Sequence, residues 1–163
     1  MLCGKRAFDF LSRNYEQNRL VSAAFSAKLL ETGEAAGKMN ELLEAQKRRI
    51  AELETQSYRA LAAKCAGKGD TLVIREGLDS VGVRKLADLN ADSCGGTAAV
   101  FSGSEGAMCY CLIRKGGDLR SFNREMTSAL DGRGGGKPEC QMGTVRCTAE
   151  AILQHFVSFY IPE

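Results

Sequence analysis

The chain has 163 residues, 44% of them hydrophobic and 26% charged, with a net charge of +2 at neutral pH. That balance excludes a disordered polymer, and the length suits one ordinary domain or a small domain with a helical arm. Nowhere do eighteen apolar residues run together, which excludes a transmembrane helix. The opening Met-Leu-Cys-Gly-Lys-Arg-Ala-Phe lacks the apolar core and cleavage site of a signal peptide.

Seven cysteines without framework spacing point to free thiols in a reducing compartment, so the cytoplasm is the expected location. Residues 1–67 carry 11 Lys+Arg against 8 Asp+Glu, and residues 68–163 carry 11 against 12. The summed field is therefore weak, and affinity for RNA has to come from local patches.

Residues 5–30 read as a helix, with Phe8, Leu11, Tyr15, Val21, Phe25 and Leu29 recurring mostly at three- and four-residue steps. Two glycines break the pattern over 32–38. A second helix is expected over 39–64, where Met39, Leu43, Gln46, Ile50, Leu53, Ser57 and Ala60 alternate four and three apart as in a coiled-coil seam. Gln46 and Ser57 interrupt the seam, which favours packing on the first helix as a hairpin. A homodimer through the remaining apolar face is the sharper alternative. Lys47, Arg48 and Arg49 form a basic cluster, read as a solvated helix face or as a secondary RNA contact that positions phosphates.

Residues 66–70 (A-G-K-G-D) form the expected hinge, dividing an arm at 1–66 from a globular part at 67–163. Residues 71–76 read as a buried strand rich in β-branched side chains. Asp79 or Ser80 can cap a helix bearing Val83, Leu86, Ala87 and Leu89, ended by Gly95-Gly96. Strands follow over 97–102 and 107–114, joined by hairpin chemistry at Gly103-Ser104-Glu105-Gly106. Asp118 caps a helix with Leu119, Phe122, Met126 and Leu130 at near-helical spacing. Residues 139–146 suit an edge strand, and Thr148 caps a last helix with Ile152, Leu153, Phe156, Phe159 and Tyr160. The fold class expected is α/β (α+β): a helical hairpin or coiled-coil arm, then a small mixed sheet packed with helices.

The most informative stretch is 132–143, G-R-G-G-G-K-P-E-C-Q-M-G. Glycines at this density suit a backbone needing positive φ or close approach. Consecutive bare amides form a nest for anions, and Arg133 and Lys137 would add a guanidinium fork and an ammonium. The plain alternative is a flexible turn with two solvated cations. A phosphate-binding P-loop needs Ser or Thr after its lysine, and Pro138 stands there. A dinucleotide fingerprint needs a strand before the glycines, where a helix is expected.

The run from Ala129 through Pro138, followed by Gln141, resembles the signature loop of the DHH-associated C-terminal domain. A Gly-Gly-Gly-(Arg/Lys/His)-Pro run precedes a short Ala-Gln-Gly-Gly or Ala-Ala-Gly segment in that family. Lys137 after the glycines is similar to the version in alanyl-tRNA synthetases and AlaX-type alanyl-tRNA editing proteins. The sequence departs from it at Cys140 and Met142. Leu2-Cys3-Gly4-Lys5-Arg6-Ala7-Phe8-Asp9-Phe10 also resembles the segment that follows the editing domain of AlaX-type proteins. The resemblance covers about 68–163 and, more loosely, the arm.

It implies a non-catalytic module that binds tRNA(Ala), with a phosphate site at Gly132, Arg133, Gly134, Gly135, Gly136, Lys137 and Gln141. It also implies that zinc belongs to an upstream editing domain, with no cofactor in this chain. Two rivals stay open. One is the substrate-binding half of a DHH-type phosphoesterase, and the other is an oligomerising arm with an inert cap.

No other constellation recommends itself. Cys109 and Cys111 alternate onto one strand face, but no second Cys/His pair stands at zinc-finger spacing. Cys140, Cys147 and the single histidine, His155, are read as packing residues. The carboxylates are scattered, so no catalytic or metal residue is assigned.

Overall fold

The computed structural model describes residues 4–104 and 106–162. The expected motif residues Leu2 and Cys3, and Glu105 of the hairpin, lie outside them. Helices α1 (Lys5–Ala24) and α2 (Thr32–Cys65) come first. Strand β1 (Gly69–Ile74), helix α3 (Ser80–Cys94) and strands β2 (Gly95–Ser104) and β3 (Ala107–Ile113) follow. Helix α4 (Arg120–Ala129), strands β4 (Gly132–Lys137) and β5 (Cys140–Val145) and helix α5 (Ala149–His155) complete the chain. N-terminal helices followed by a mixed five-stranded sheet with helices make this an α+β fold.

The chain divides into two compact units, 1–53 and 54–163. In the first, α1 ends in a tight polar corner. Ser26 takes a left-handed φ of 50°, Ser22 Oγ donates to the Ala27 carbonyl at 2.5 Å, and Asn18 Nδ2 donates to the Leu29 carbonyl at 2.7 Å. Thr32 Oγ1 donates to Asn18 Oδ1 at 2.7 Å.

The break expected at 32–38 therefore falls earlier, and those residues are the first turns of α2. Two helical glycines are tolerated at about 1 kcal/mol each, helped by a Glu34–Lys38 ion pair one turn apart at 2.7 Å. No residue of α1 is buried, and α2 buries none before Tyr58. The seam residues Met39, Leu43, Ile50 and Leu53 are all exposed.

The second unit begins inside α2, earlier than the hinge expected at 66–70. Tyr58, Ala62 and Cys65 belong to its core, and Ser93 Oγ donates to the Ala62 carbonyl at 3.1 Å. The sheet order is β1-β2-β3-β5-β4. β1 and β2 run parallel and are joined through α3, as a parallel pair requires. The other pairings are antiparallel. Asp79 caps α3 by accepting from Gly82 N at 2.7 Å, and Gly95 ends it at a left-handed φ of 80°.

Period-two alternation divides the strand side chains between two cores. Val73, Ala98, Val100, Cys111 and Ile113 pack with α3 and the end of α2. Leu72, Ala99, Phe101, Tyr110, Leu112 and Val145 pack with α4 and α5. β2 is buried on both faces, which explains its unbroken apolar run.

Two expectations about the end of the sheet are corrected. The glycine stretch is a strand rather than a loop, and it forms the sheet's edge. Residues 140–145 are internal, between β3 and β4, because β4 covers them. Pro138-Glu139 is the two-residue hairpin turn. It is held by Leu119 N donating to the Pro138 carbonyl at 2.8 Å and Arg114 N donating to the Glu139 carbonyl at 3.0 Å.

Candidate nucleic-acid interface

The glycines of the β4–β5 hairpin have a packing reason. β4 crosses directly over Tyr110 of β3, and a Cβ on Gly134 would run into the Tyr110 hydroxyl. A Cβ on Gly136 or Gly143 would meet the carbonyl of Cys140 or Arg133 on the facing strand. The Tyr110 hydroxyl donates to Asn123 Oδ1 of α4 at 2.6 Å. Burial pushes its phenol up to about 12, so it stays a neutral donor. Bare backbone at β4 thus lets helix α4 and the strand sit close together, with a hydrogen bond beneath them.

Between α4 and β4 lies a polar cleft of about 270 Å³, lined by Arg120, Asn123, Arg124, Thr127, Gly134, Gly135, Gly136 and Gln141. Arg120, Arg124 and Thr127 stand four and three apart, one stripe along the helix. The lining holds two guanidinium groups, two amides and a hydroxyl, and no carboxylate. Arg124 has no ion-pair partner among the described residues.

Arg120 is tied to Asp118 at the helix start. Its Nη2 donates to Oδ2 at 2.6 Å and its Nε to Oδ1 at 3.0 Å, while its backbone N also donates to Oδ1 at 3.0 Å. Those bonds hold the Asp118 carboxyl down at about 2 and raise the Arg120 guanidinium. Gln141 is buried, and its Nε2 donates to the Lys137 carbonyl at 2.5 Å, bracing the hairpin.

The backbone edge is half satisfied. Arg146 N donates to the Asp131 carbonyl at 3.2 Å. Carried along the antiparallel register, that alternation turns the N–H and C=O groups of Arg133, Gly135 and Lys137 toward β5. Those of Gly132, Gly134 and Gly136 face the open edge.

The residues singled out in the sequence are therefore divided. Gly134, Gly135, Gly136 and Gln141 line the cleft, and Gly132 begins the strand beside it. Arg133 and Lys137 alternate onto the opposite face of β4 from Gly134 and Gly136, so they do not flank the cleft. Arginines of α4 take that place. The signal for Arg120, Asn123, Arg124 and Thr127 was a polar stripe on the helix preceding the glycines, beside the apolar stripe that was read.

In the other basic cluster, Lys47 pairs with Glu44 at 2.8 Å and Arg49 with Glu52 at 3.4 Å. Arg48 has no ion pair among the described residues.

Among solved structures, the chain is similar to the C-Ala domain of the alanyl-tRNA synthetase of Aquifex aeolicus. The likeness covers 52% of this chain and 85% of that domain, at 17% identity and a TM-score of 0.46. No family model matches the sequence, and no curated protein matches it.

Among the described residues no three His, Cys, Asp or Glu side chains gather to hold a metal. Burial raises the thiols of Cys65, Cys109, Cys111 and Cys147, so none is a poised thiolate. His155 is exposed at the end of α5, its ring 5.3 Å from that of Phe156 and 6.2 Å from that of Phe122. No helix among the described residues is long and apolar enough to cross a membrane.

Proposed function

We propose that this chain is a non-catalytic nucleic-acid-binding module whose α4–β4 cleft holds phosphates of an RNA backbone. The observation that carries the reading is the polar cleft lined by Arg124, and by Arg120 with its Asp118 partner, beside a strand of bare glycine. Guanidinium forks match phosphate oxygens two at a time, and the Asn123 and Gln141 amides and the Thr127 hydroxyl supply neutral polar partners. Phosphate contacts position RNA without reading its sequence, so selectivity comes from the shape of the folded RNA.

The likeness of the glycine stretch to alanyl-tRNA synthetases and AlaX-type editing proteins makes tRNA(Ala) the proposed partner. The proposed parent is a zinc-dependent deacylase of mischarged tRNA(Ala) or a synthetase, acting in the cytoplasm. Its zinc is carried by an upstream domain and none by this chain. The exposed seam of α2 is proposed to pair two copies, with Arg48 as a secondary RNA contact.

The test is filter binding of a tRNA(Ala) transcript at ~0.1 M salt, where exposed charges are already substantially screened. Arg120→Ala/Arg124→Ala is expected to weaken binding at least tenfold and to flatten its salt dependence by about 1 to 2 in slope. Full affinity in that variant refutes the cleft as the RNA site.

A further inference from the structure

Gly135 is the one glycine of the hairpin that packing does not explain. A Cβ there would meet nothing within 4 Å, whereas one on Gly132, Gly134, Gly136 or Gly143 would strike a neighbouring strand or side chain. Its backbone is not left-handed, so no turn demands it. A glycine inside a strand weakens it and often marks a place where another molecule's backbone comes close.

The side chains two residues to either side on the same strand face are Arg133 and Lys137. Both are exposed, and neither has an ion-pair partner among the described residues. Their Cα atoms stand roughly 13 Å apart along the strand, too far to share one phosphate. The strand itself separates this row from Arg120 and Arg124, and β4 is the open edge of the sheet.

We propose that the β4 edge is straddled by two phosphodiester strands of a paired RNA. One strand lies in the α4 cleft, and the other lies flush against the Arg133–Gly135–Lys137 row. The proposal rests on the reading of the cleft as a phosphate site and adds a second site on the opposite face. Cations on both faces of one edge strand suit a ligand with two backbones, because a single extended backbone passes along one face only. Gly135 then supplies clearance, and the two cations supply separate phosphate contacts.

The experiment compares an RNA hairpin of about 20 base pairs, longer than a typical double-stranded RNA module covers, with an unstructured RNA of equal length. Three variants are titrated over a range of salt: Arg133→Ala/Lys137→Ala, Gly135→Thr and Arg124→Ala. At ~0.1 M salt each counterion released multiplies affinity by roughly eight. The Arg133/Lys137 pair is therefore expected to cost about 8- to 60-fold on the duplex and less than twofold on the single strand. Gly135→Thr is expected to weaken the duplex alone while leaving the circular dichroism unchanged, since the added side chain enters open space.

Equal losses on the two RNAs, or no loss on the duplex, overturn the second site. If Arg124→Ala still weakens both RNAs, the cleft stands without it. If Arg124→Ala weakens neither, the cleft reading fails and the straddled edge fails with it.

Discussion

Two adjacent glycines should respond in opposite directions to the same added methyl group. On Gly134 a Cβ would collide with the Tyr110 hydroxyl, and the Met142 carbonyl is 2.5 Å from its position. Overpacking of this kind costs about 1–3 kcal/mol. Pushing the phenol off Asn123, which it meets at 2.6 Å, leaves buried polar atoms unpaired at about 1–3 kcal/mol more. Gly134→Ala should therefore lose about 3 kcal/mol, a large part of a domain stability of roughly 5–15 kcal/mol.

Gly135→Ala meets no atom and should gain about 0.5–1 kcal/mol, since alanine restricts the unfolded chain. The assay is urea unfolding followed by near-ultraviolet circular dichroism, which reads the buried tyrosines Tyr58 and Tyr110 of the second unit. With a slope of about 1–3 kcal/mol per molar urea, the midpoint should fall by about 1–3 M for Gly134→Ala and rise slightly for Gly135→Ala. Tyr110→Phe removes the obstructing hydroxyl, so it should cost less in the Gly134→Ala background than in the natural protein. Equal midpoints for the two alanine variants, or strict additivity in the cycle, would refute the crossing of β4 over Tyr110 as the cause of the glycine run.

Further outcomes follow from the charges and the cores. Asp118→Asn keeps an oxygen for the Arg120 amide but removes the carboxylate that competes for its guanidinium, so RNA affinity should rise two- to fivefold, on the scale of a modest exposed ion pair. Because that carboxyl titrates at about 2, binding by the natural protein should show no step from it between pH 4 and 8. Tyr110 shifts upward, from 10.0 to about 12. Its contribution is thus complete below pH 10 and lost as pH rises through 12, by about 3 kcal/mol in all. Tyr110→Phe should flatten the alkaline limb of stability against pH. If two copies pair through α2 as proposed, removing residues 1–53 should turn a sedimenting dimer into a monomer, and an unchanged number of subunits would exclude the arm as the pairing element.

Strands β1, β2 and β3 were legible because they are β-branched or apolar runs between glycine turns, and the Asp79 cap with Gly95 bounds α3 plainly. Composition misled at the two places where glycine was read as irregular structure. Gly33 and Gly37 lie within α2 because the chain had already turned at Ser26, a bend carried by side-chain hydrogen bonds from Asn18 and Ser22. Residues 132–137 are a strand because their neighbours come too close for side chains, a cause that resides in Tyr110 and Asn123 rather than in the run itself.

The candidate site was half visible for the same reason. Its floor is written in glycines, while its cations come from a helix whose polar stripe looked like ordinary solvent-facing surface. Arg133 and Lys137 adjoin the glycines in sequence, but strand alternation sends them to the other side.

Helix α2 has 34 residues, and its final turns carry Tyr58, Ala62 and Cys65 into the core beside α3. The boundary between the two units therefore falls within an unbroken helix, with no glycine or proline to announce it. A polypeptide trimmed at the glycine-rich junction near 67 would leave a trough over α3 where a tyrosine ring had been, and would be expected to clump. One trimmed just ahead of Glu54 keeps Tyr58 as its own lid, and with it the edge strand and the arginines of α4.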